Sequence, residues 1–428
     1  MKRVLIIAYH FPPLNVVASK RTKAYADYLQ QFGIRPTIFT PMRTSNGHLV
    51  EENVSIQKGI YDTHDEILVP IPFKTKAKIL SFLLNIPLLD KLVITFHWMI
   101  GNLNVSPAEL NSYINLKKAL NNYLKSEQFD AVIGIYSPHH CLKLAHFVYK
   151  KFNLPYILDF RDLWAKHVFT HSVTVGNSQK FQDKFIKYYW KRWIKSSASF
   201  SITSPEWLSI LETLTSKKGH IIPNGFDDKL LTISSSKSEY FSVGCIGTFY
   251  PNQDLGTFLT GFKHFLKSLP SSERENVKLE FLGLNKTYRP NLIDEIKSYV
   301  PENNIQFLPK TDQLGVIKFC QSQTLIWHPA FPDSSGWFSA KIYDYLAAKT
   351  AILFCPSDRG IVEKTLIHME HISFVNKIDM VVSYLQNKYR LWKNGEIDQM
   401  KDSQLHELQS FTRSNQAQKM GKIILPMN

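Results

Sequence analysis

The sequence predicts an α/β protein of two domains, each built on a parallel sheet that helices cover. Short apolar runs of strand length alternate with helical stretches, and strand–helix–strand units of this kind pair in parallel. The alternation starts afresh after the Ser-rich segment 233–238, and a chain of 428 residues exceeds the size that one core usually serves. We therefore expect domains at 1–232 and 239–405, followed by a helix in 406–428 that packs across their junction.

In the first half, the apolar run 3–9 is predicted to be a central strand. It leads into a rigid loop that contains His10 and Pro13, and the helix after this loop ends at Gly33. Arg21, in the first half of that helix, either faces the mouth of a cleft or belongs to a solvated basic face. The other strands of this half are predicted at 36–40, 129–136, 155–160, 199–203 and 220–222.

Polar side chains follow two of these later strands. His139 lies in the loop after one strand, and Arg161 and Asp162 come directly after the next. Because the carboxyl ends of parallel strands meet at one edge of a sheet, we expect these groups to face the same cleft as His10. A histidine at the start of a helix is also commonly structural, so His139 has two interpretations.

The most informative stretch of the second half is 324–356, which has the pattern of a strand, a polar loop, a helix and a second strand. Its loop places Ser335 and Gly336 ahead of a helix N-terminus, whose free amides favour an anion. Lys341 and Asp344 share one flank of that helix, where the lysine can meet a phosphate and the aspartate ribose hydroxyls. The alternative is a buried structural unit with an ordinary Lys–Asp pair.

The rest of the second half repeats the alternation. A strand at 240–247 opens it, and the loop after this strand contains Thr248 and Tyr250. Trp337, at the start of the helix in 324–356, either stacks on a ligand ring or packs in the core. The other strands are expected at 277–283 and 304–308, and the other helices at 255–269, 292–299, 313–321 and 406–424.

The net charge of +15 calls for an anionic partner. Nucleic acid, an anionic membrane surface and phosphorylated small molecules are the candidates. The sequence has no RNA-binding aromatic strand motif, zinc-finger pattern or arginine run, so we expect no nucleic-acid partner. The four cysteines lie far apart, which is typical of a reduced protein without a zinc site, and no signal peptide precedes the first strand. The sequence thus predicts a cytoplasmic protein without a zinc site or a disulfide framework.

Two stretches, 74–101 and 180–195, combine apolar and aromatic residues with lysines. Pro87 and the charges at Asp90 and Lys91 interrupt the first stretch before it is long enough to span a bilayer. Both stretches have the composition of helices that lie in a membrane interface, here the inner face of the cell membrane. The alternative for both is a helix packed in the domain core.

Five segments, in order along the chain, resemble retaining glycosyltransferases of the GT-B fold, in the group called glycosyltransferase family 4. They are VLIIAYHFPP with Arg21 downstream, DFRDLW, IPNGFD, GTFYPNQDLGTFLTGF and SAKIYDYLAAKTAIL. The resemblance implies two Rossmann-like domains that face across a cleft, with the C-terminal helix crossing back to the N-terminal domain. It also implies metal-independent transfer with retention, from a UDP- or GDP-linked sugar to a glycan or lipid-linked acceptor, without a further cofactor.

The loops and the resemblance together give the predicted site, in three groups. The nucleotide-sugar group is Gly247, Thr248, Tyr250, Ser335, Gly336, Lys341, Asp344 and Asn224. The acceptor group is His10, Pro13 and Arg21, and the catalytic group is Asp162, Arg161 and His139. Breaking a sugar–diphosphate bond needs fixed donors and cations at the departing phosphates, which such a set can supply.

The chain departs from the family pattern at several positions. Gly336 stands where the family has a glutamate eight positions before Asp344, and the basic pair usual after the first C-terminal strand is absent. We hypothesise that Lys341 replaces these cations and that Arg161 binds a phosphate or the acceptor. The predicted function is the building of a cell-surface polysaccharide or glycolipid. The alternatives are a sugar-nucleotide epimerase on the same fold and a non-catalytic sugar-nucleotide-binding subunit.

Overall fold

The computed structural model describes residues 1–164, 177–331, 336–396, 400 and 404–427. The chain divides into two compact units, and each is an α/β domain with its own sheet. Among the described residues, the first unit comprises 1–164, 177–225 and 413–427, and the second comprises 226–331, 336–396, 400 and 404–412. The α/β fold class predicted from the sequence is confirmed.

The first unit contains β1 (Lys2–Ile7), α1 (Val17–Tyr28), β2 (Ile34–Pro41), β3 (Gln57–Ile60), β4 (Asp65–Val69), α2 (Thr75–Leu84), α3 (Leu89–Met99), α4 (Pro107–Tyr123), β5 (Ala131–Tyr136), α5 (His139–Phe152), β6 (Tyr156–Phe160), α6 (Asn177–Ser196), β7 (Ser199–Ile202), α7 (Pro205–Thr215) and β8 (His220–Ile221). The strands predicted from apolar runs all occur, with shifts of one or two residues at their ends. The edge strand β3, its neighbour β4 and the helices α4 and α7 are additional to the prediction.

The strands of the first unit lie in the order β3-β4-β2-β1-β5-β6-β7-β8, and all are parallel except β3, which is antiparallel to β4. Val4 of β1 pairs with Pro36 on one side and with Ala131 on the other. β1 is central because its apolar residues are buried on both faces, as a parallel strand requires. The strand order reverses between β1 and β5, and the loops beyond such a point are where open α/β sheets bind ligands.

The end of the first helix was predicted correctly. α1 continues into a 3₁₀ turn at Leu29–Phe32, and Gly33 then adopts a φ of 76°. In this left-handed conformation, which glycine adopts without strain, the Gly33 N–H donates to the Gln30 and Leu29 carbonyls. The chain therefore turns directly into β2.

The stretch 74–101 forms the two short helices α2 and α3, and most of it is not buried in a core. α2 buries Ala77 and Leu80, and α3 buries only Trp98. The core-packed alternative for this stretch is therefore wrong. The stretch 180–195 lies in α6, whose Trp190 and Ile194 are fully buried. No helix in the described part of the chain is long and apolar enough to cross a membrane.

The second unit contains β9 (Phe241–Thr248), α8 (Gly256–Ser268), α9 (Ser271–Arg274), β10 (Val277–Asn285), α10 (Leu292–Tyr299), β11 (Ile305–Leu308), α11 (Gln313–Ser322), β12 (Leu325–His328), α12 (Ala340–Ala348), β13 (Ala351–Phe354), α13 (Ile361–Leu366), β14 (Ile372–Phe374), α14 (Ile378–Lys393) and α15 (Leu405–Leu408). Its strands are all parallel, in the order β11-β10-β9-β12-β13-β14. The order reverses between β9 and β12, so the loops after these two strands share the ligand-binding edge of this sheet.

Helix α12 begins at Ala340, two residues later than predicted. Its apolar stripe behaves as expected, since Ile342, Tyr345 and Leu346 are buried. They join one of the two hydrophobic clusters of this unit, which also contains Phe226. A second cluster, around Trp327 and Phe258, contains buried residues of β9, β10 and α8.

The segment 226–238 packs along the second unit. The Phe226 N–H donates to the Phe411 carbonyl at 3.0 Å, and the Ser238 N–H donates to the Ser322 carbonyl at 2.9 Å. The two units therefore divide after Gly225, whereas the sequence suggested a boundary at 232 and a linker at 233–238. Contacts to distant chain segments, which a single sequence does not reveal, hold this Ser-rich segment in place.

The final helix, α16 (Arg413–Ile424), belongs to the first unit, as the sequence predicted for a C-terminal helix that returns to the N-terminal domain. Its Met420 and Ile424 are buried in the same core as Val4 of β1. The single helix expected over 406–424 is instead α15, a 3₁₀ turn and α16, because Thr412 between them is extended.

Candidate functional site

A cavity of about 350 Å³ lies at the carboxyl ends of β1, β5 and β6 in the first unit. His10 follows β1, His139 follows β5, and Arg161 and Asp162 follow β6, and all four side chains line the cavity. The structure thus brings together the three loops that the sequence placed at one edge of the sheet. Glu109, at the start of α4, lines the same cavity and was not predicted.

His139 is a neutral hydrogen-bonding group inside this cavity. The Trp190 Nε1–H donates to its Nδ1 at 3.0 Å, so in the neutral ring the proton lies on Nε2. Burial lowers the pKa of His139 to about 3, because the imidazolium would lose its hydration. His139 is therefore a hydrogen-bond donor near neutral pH, through Nε2, and Nδ1 is not available as a base.

His10 is held neutral by a similar cause. Burial and the nearby positive charges of Arg161 and Arg43 lower the pKa of His10 to about 4. Its Nδ1 is buried and has no hydrogen-bond partner among the described residues. A buried polar atom without a partner is costly, so a ligand hydroxyl that reached it would satisfy it.

Arg161 and Asp162 are neighbours in sequence and form an ion pair. The Arg161 Nε donates to Asp162 Oδ2 at 2.7 Å, and both side chains keep part of their surface exposed. The Thr203 hydroxyl donates to the Arg161 carbonyl at 2.9 Å, which fixes the loop to the end of β7. The pair presents both a guanidinium and a carboxylate to whatever occupies the cavity.

Glu109 reaches the cavity because of how α4 begins. Ser106 caps this helix, and its hydroxyl accepts from the Glu109 N–H at 3.1 Å. The Asn104 amide donates to the Glu109 carboxylate at 3.0 Å and orients it. The capping pattern of a serine followed three residues later by a glutamate is visible in the sequence and was the signal that could have located this carboxylate.

Arg21 does not line the cavity. Its side chain is 0% exposed, and its Nε and Nη2 donate to the two Asp159 carboxylate oxygens at 2.7 and 2.6 Å. Its Nη1 donates to the Pro223 carbonyl at 3.2 Å and to the Asn224 side chain at 3.4 Å. Both alternatives considered from the sequence, the cleft mouth and a solvated basic face, are therefore wrong, and direct acceptor binding by Arg21 does not fit. It holds the loop that contains Asn224.

Pro13, the remaining residue of the predicted acceptor group, is exposed and does not line the cavity. The preceding loop residue His10 does, so the loop after β1 enters the cavity through its first residues only. Acceptor binding by Pro13 stays a prediction.

In the second unit, Lys341 lies against the carboxyl end of β9. Its Nζ donates to the Thr248 carbonyl at 2.7 Å, and a Cβ on Gly247 would come within 3.2 Å of this ammonium. Gly247 has a φ of 75°, a conformation that glycine adopts readily and that lets the loop pass close to the lysine. Burial lowers the pKa of Lys341 to about 8. A mostly buried cation thus stands at the strand-order reversal of this sheet.

Aromatic rings cluster at the same edge of the second sheet. The centroid of Tyr250 lies 4.9 Å from that of Tyr288 and 5.4 Å from that of Phe331. Trp337 packs on Phe331 at 4.4 Å between centroids. Trp337 therefore packs on a neighbouring ring, as one of its two interpretations expected. Tyr288, which was not among the predicted site residues, is half exposed at the same edge.

The remaining predicted nucleotide contacts lie around α12. Gly336 has a φ of 83°, and Ser335 lies outside the described residues. Asp344 accepts a hydrogen bond from the Gln313 amide at 3.0 Å. Asp344 therefore has a hydrogen-bond partner within the second unit. In the described part of the chain, no group of three or more His, Cys, Asp or Glu side chains is arranged to hold a metal ion.

Solved structures are similar to this chain over its whole length, although no family model and no curated protein matches it. Sucrose-phosphate synthase from Thermosynechococcus elongatus aligns with a TM-score of 0.61 at 12% identity, covering 99% of this chain and 98% of that chain. An E. coli structure described as trehalose-6-phosphate bound with UDP-2-fluoro glucose aligns with a TM-score of 0.60 at 11% identity, covering 99% of both chains.

WaaG, described as a glycosyltransferase involved in lipopolysaccharide biosynthesis, aligns with a TM-score of 0.57 at 12% identity, covering 99% of both chains. The chain has the GT-B fold. Each unit of this GT-B protein has a candidate binding region where the strand order of its sheet reverses. In the first unit this region is the cavity, and in the second it is the end of β9 beside Lys341. These identities are too low to transfer a substrate or a residue role.

Proposed function

We propose that this GT-B protein is a glycosyltransferase of the retaining family 4 type. Its second unit binds a nucleoside-diphosphate sugar, and the cavity of its first unit binds the acceptor. The observation that carries the proposal is Lys341, a mostly buried cation whose ammonium lies beside Gly247 and Thr248 at the carboxyl end of β9. A cation fixed beside a glycine turn is what a departing diphosphate requires.

The donor side of the proposal rests on the described contacts around Lys341 and the end of β9. The ammonium donates one hydrogen bond to a carbonyl and has two further protons with which to meet phosphate oxygens. Asp344 is the candidate for the ribose hydroxyls, and Tyr250 with Tyr288 supplies exposed ring surface for a base. The similarity to a structure that contains UDP-2-fluoro glucose makes UDP the first nucleotide to test.

The acceptor side rests on the cavity of the first unit. Neutral His10 and His139 and the carboxylates of Glu109 and Asp162 are groups that hydrogen-bond sugar hydroxyls. Asp162 would orient the acceptor hydroxyl, and Arg161 would balance the charge of Asp162. With retention, the departing diphosphate oxygen can take the acceptor proton on the same face, so the low pKa of His139 is not an obstacle.

The experiment is thermal melting with UDP, GDP, ADP and CMP at equal concentration, for the wild type and Lys341→Met. A ligand present at 100 times its Kd adds about 2.7 kcal/mol to the stability of the unit that binds it. We expect one diphosphate to raise the Tm of the wild type and to lose this effect in Lys341→Met. A nucleotide that stabilises both proteins equally would contradict the role of Lys341.

Transfer is then measured with the sugar nucleotide that the melts select. We propose that it proceeds without a metal or further cofactor, so the rate should be unchanged by EDTA. Conversion of the donor into its epimer without transfer would favour the epimerase alternative. Binding without turnover on any acceptor would favour the non-catalytic subunit.

The acceptor is proposed to be a glycan or a lipid-linked sugar, in cell-surface polysaccharide or glycolipid biosynthesis. The net charge of +15 supports association with the anionic inner face of the cell membrane. The similarity to WaaG is compatible with such a pathway. The test is the incorporation of labelled sugar into the lipid extract of cells that express the protein, compared with Lys341→Met.

A further inference from the structure

The helices α2 and α3 expose apolar side chains that a soluble domain normally buries. The six most exposed, with their exposed fractions, are Ile79 (52%), Phe82 (68%), Leu88 (78%), Leu92 (69%), Phe96 (58%) and Met99 (60%). We call these six residues the hairpin surface. A cluster of large apolar residues of this kind marks an interaction site.

The spacing of these residues gathers them on one face of each helix. Leu92, Phe96 and Met99 are separated by four and three positions, which places them along one side of α3, and Leu88 directly precedes this helix. The opposite side of α3 is held by Trp98, whose ring contacts those of two phenylalanines of α6 at about 6 Å between centroids. The Tyr189 hydroxyl of α6 also donates to the Met99 carbonyl. The apolar face is therefore presented by a helix that is anchored from behind.

Exposed basic residues are frequent on α2, on α3 and on α6, which packs against α3. Stretches 74–101 and 177–196 together contain ten lysines and arginines and two aspartates, which leaves a strong positive charge on α2, α3 and α6. The exposed cations are Lys76, Lys78, Lys91, Lys180, Lys184, Lys187, Lys191, Arg192 and Lys195. Apolar side chains among exposed lysines match a bilayer with anionic headgroups, where the chains enter the acyl boundary and the ammonium groups meet phosphates.

We infer that the hairpin surface inserts into an anionic lipid bilayer. The same elements border the cavity that the proposed function assigns to the acceptor. Gln182 and Ile186 of α6 line that cavity, and the Gln182 amide donates to the Leu103 carbonyl at 2.7 Å, just beyond the hairpin. Leu80 of α2 lines a smaller adjoining pocket together with Glu109. A docked bilayer would lie beside the cavity, so the acceptor is one carried on a membrane lipid.

The test uses the purified full-length protein and sedimentation with vesicles, which needs no enzymatic activity. Vesicles of phosphatidylglycerol and phosphatidylcholine are compared with vesicles of phosphatidylcholine alone. We expect binding to the anionic vesicles, and a loss of at least tenfold in the partition coefficient for Leu92→Ser/Phe96→Ser. The matched control is Ile60→Ser/Ile367→Ser, which removes two equally exposed apolar side chains elsewhere and should bind like the wild type.

A second variant separates charge from insertion. Lys191→Gln/Lys195→Gln should weaken binding to the anionic vesicles several-fold and leave the weak binding to phosphatidylcholine unchanged. All variants should keep the wild-type Tm, since the altered side chains are exposed. Equal vesicle binding by wild type and Leu92→Ser/Phe96→Ser would overturn the inference. So would a dimer that this variant converts to a monomer without any vesicle binding.

The acceptor part rests on the proposed function and is tested separately. With the donor selected by melting, transfer to a lipid-linked sugar in vesicles should fall in Leu92→Ser/Phe96→Ser, while the Kd for the nucleotide is unchanged. Vesicle binding without any transfer would contradict the proposed function and leave the membrane surface standing. Transfer at equal rates by wild type and variant would overturn the role of the hairpin surface in acceptor delivery.

Discussion

The Lys341 side chain changes its charge between pH 7 and pH 9. Burial lowers its pKa to about 8, so its ammonium is mostly charged at pH 7 and mostly neutral at pH 9. If the charged form binds the diphosphate, the Kd for the selected nucleotide should be about tenfold weaker at pH 9 than at pH 7. Isothermal titration at the two pH values measures this ratio.

Lys341→Arg is the control for that measurement. A guanidinium remains charged throughout this range, so nucleotide binding by the variant should lose most of its pH dependence. The same tenfold decline in Lys341→Arg would show that another group titrates, and would remove Lys341 from the phosphate site.

Glu109 and Asp162 are two carboxylates that line the first-unit cavity, and their roles can be separated from donor binding. Removing a hydrogen bond to a charged group costs about 1.5–3 kcal/mol, so Glu109→Gln and Asp162→Asn should each lower kcat/KM for the acceptor by about 10- to 100-fold. Steady-state transfer assays with varied acceptor measure this effect. The Kd for the nucleotide should stay constant, and Glu52→Gln, an exposed change elsewhere, should behave as wild type. Unchanged acceptor kinetics would exclude this cavity as the acceptor site.

At the scale of elements, the ion pair of Arg21 and Asp159 ties α1 to β6 and to the loop of Asn224. The pair is fully buried, and Asp159 also accepts hydrogen bonds from Tyr25 at 3.0 Å and Ser201 at 2.6 Å. Arg21→Met would leave the carboxylate buried without its cation, so we expect the first unit to lose about 3–5 kcal/mol of stability. Urea unfolding, compared between the wild type and the variant by tryptophan fluorescence, measures this loss.

Asp159→Asn is the companion variant to Arg21→Met. It keeps the shape of the side chain but leaves the buried Arg21 guanidinium without its counter-charge, so we expect a loss of similar size, about 3–5 kcal/mol. Lys23→Met provides a surface reference, because its ion pair with Asp27 is exposed and should contribute less than about 1 kcal/mol. Equal stability of Arg21→Met and wild type would show that the pair does not hold these elements together.

The strands and helices could largely be predicted because their signals are local. The apolar run that became β1 and the left-handed Gly33 are read from a few neighbouring residues. The loops of His10, His139 and Asp162 could be brought to one edge because parallel topology fixes where strands end. The predictions that failed concern partners far away in sequence. Arg21 meets a carboxylate 138 positions later, and no local pattern announces it.

The same distinction explains the hairpin of α2 and α3. The composition of 74–101 suits both a core and a membrane interface, so the sequence left both open. The sequence does not show how much of this surface the rest of the fold covers, and in the helices α2 and α3 only Ala77, Leu80 and Trp98 are buried. Glu109 was not predicted for another reason. The serine that caps its helix, Ser106, is visible in the sequence, but the apolar pattern of 107–123 did not predict a helix there.

At the scale of the whole molecule, both units contain buried histidines that remain neutral when folded. Burial lowers the pKa of His139 in the first unit and of His328 in the second to about 3, and that of His371 to about 4. In the unfolded chain these side chains take up protons near pH 6.5. The unfolded state therefore binds more protons below that pH, and stability falls as the pH drops from about 6.5 toward 4.

His371 offers the sharpest test of this acid sensitivity, because both its ring nitrogens are buried without a hydrogen-bond partner among the described residues. His371→Leu removes these two unsatisfied nitrogen atoms. It also removes a side chain that takes up a proton in the unfolded chain more readily than in the folded one. We expect the variant to have a higher Tm than the wild type at pH 7, and the advantage to grow by about 1 kcal/mol per pH unit between pH 6 and 4.5. Melts at several pH values measure both effects. His368→Leu, an exposed change three residues away, is the control. If the advantage of His371→Leu over the wild type stays constant with pH, His371 is not held neutral in the folded state.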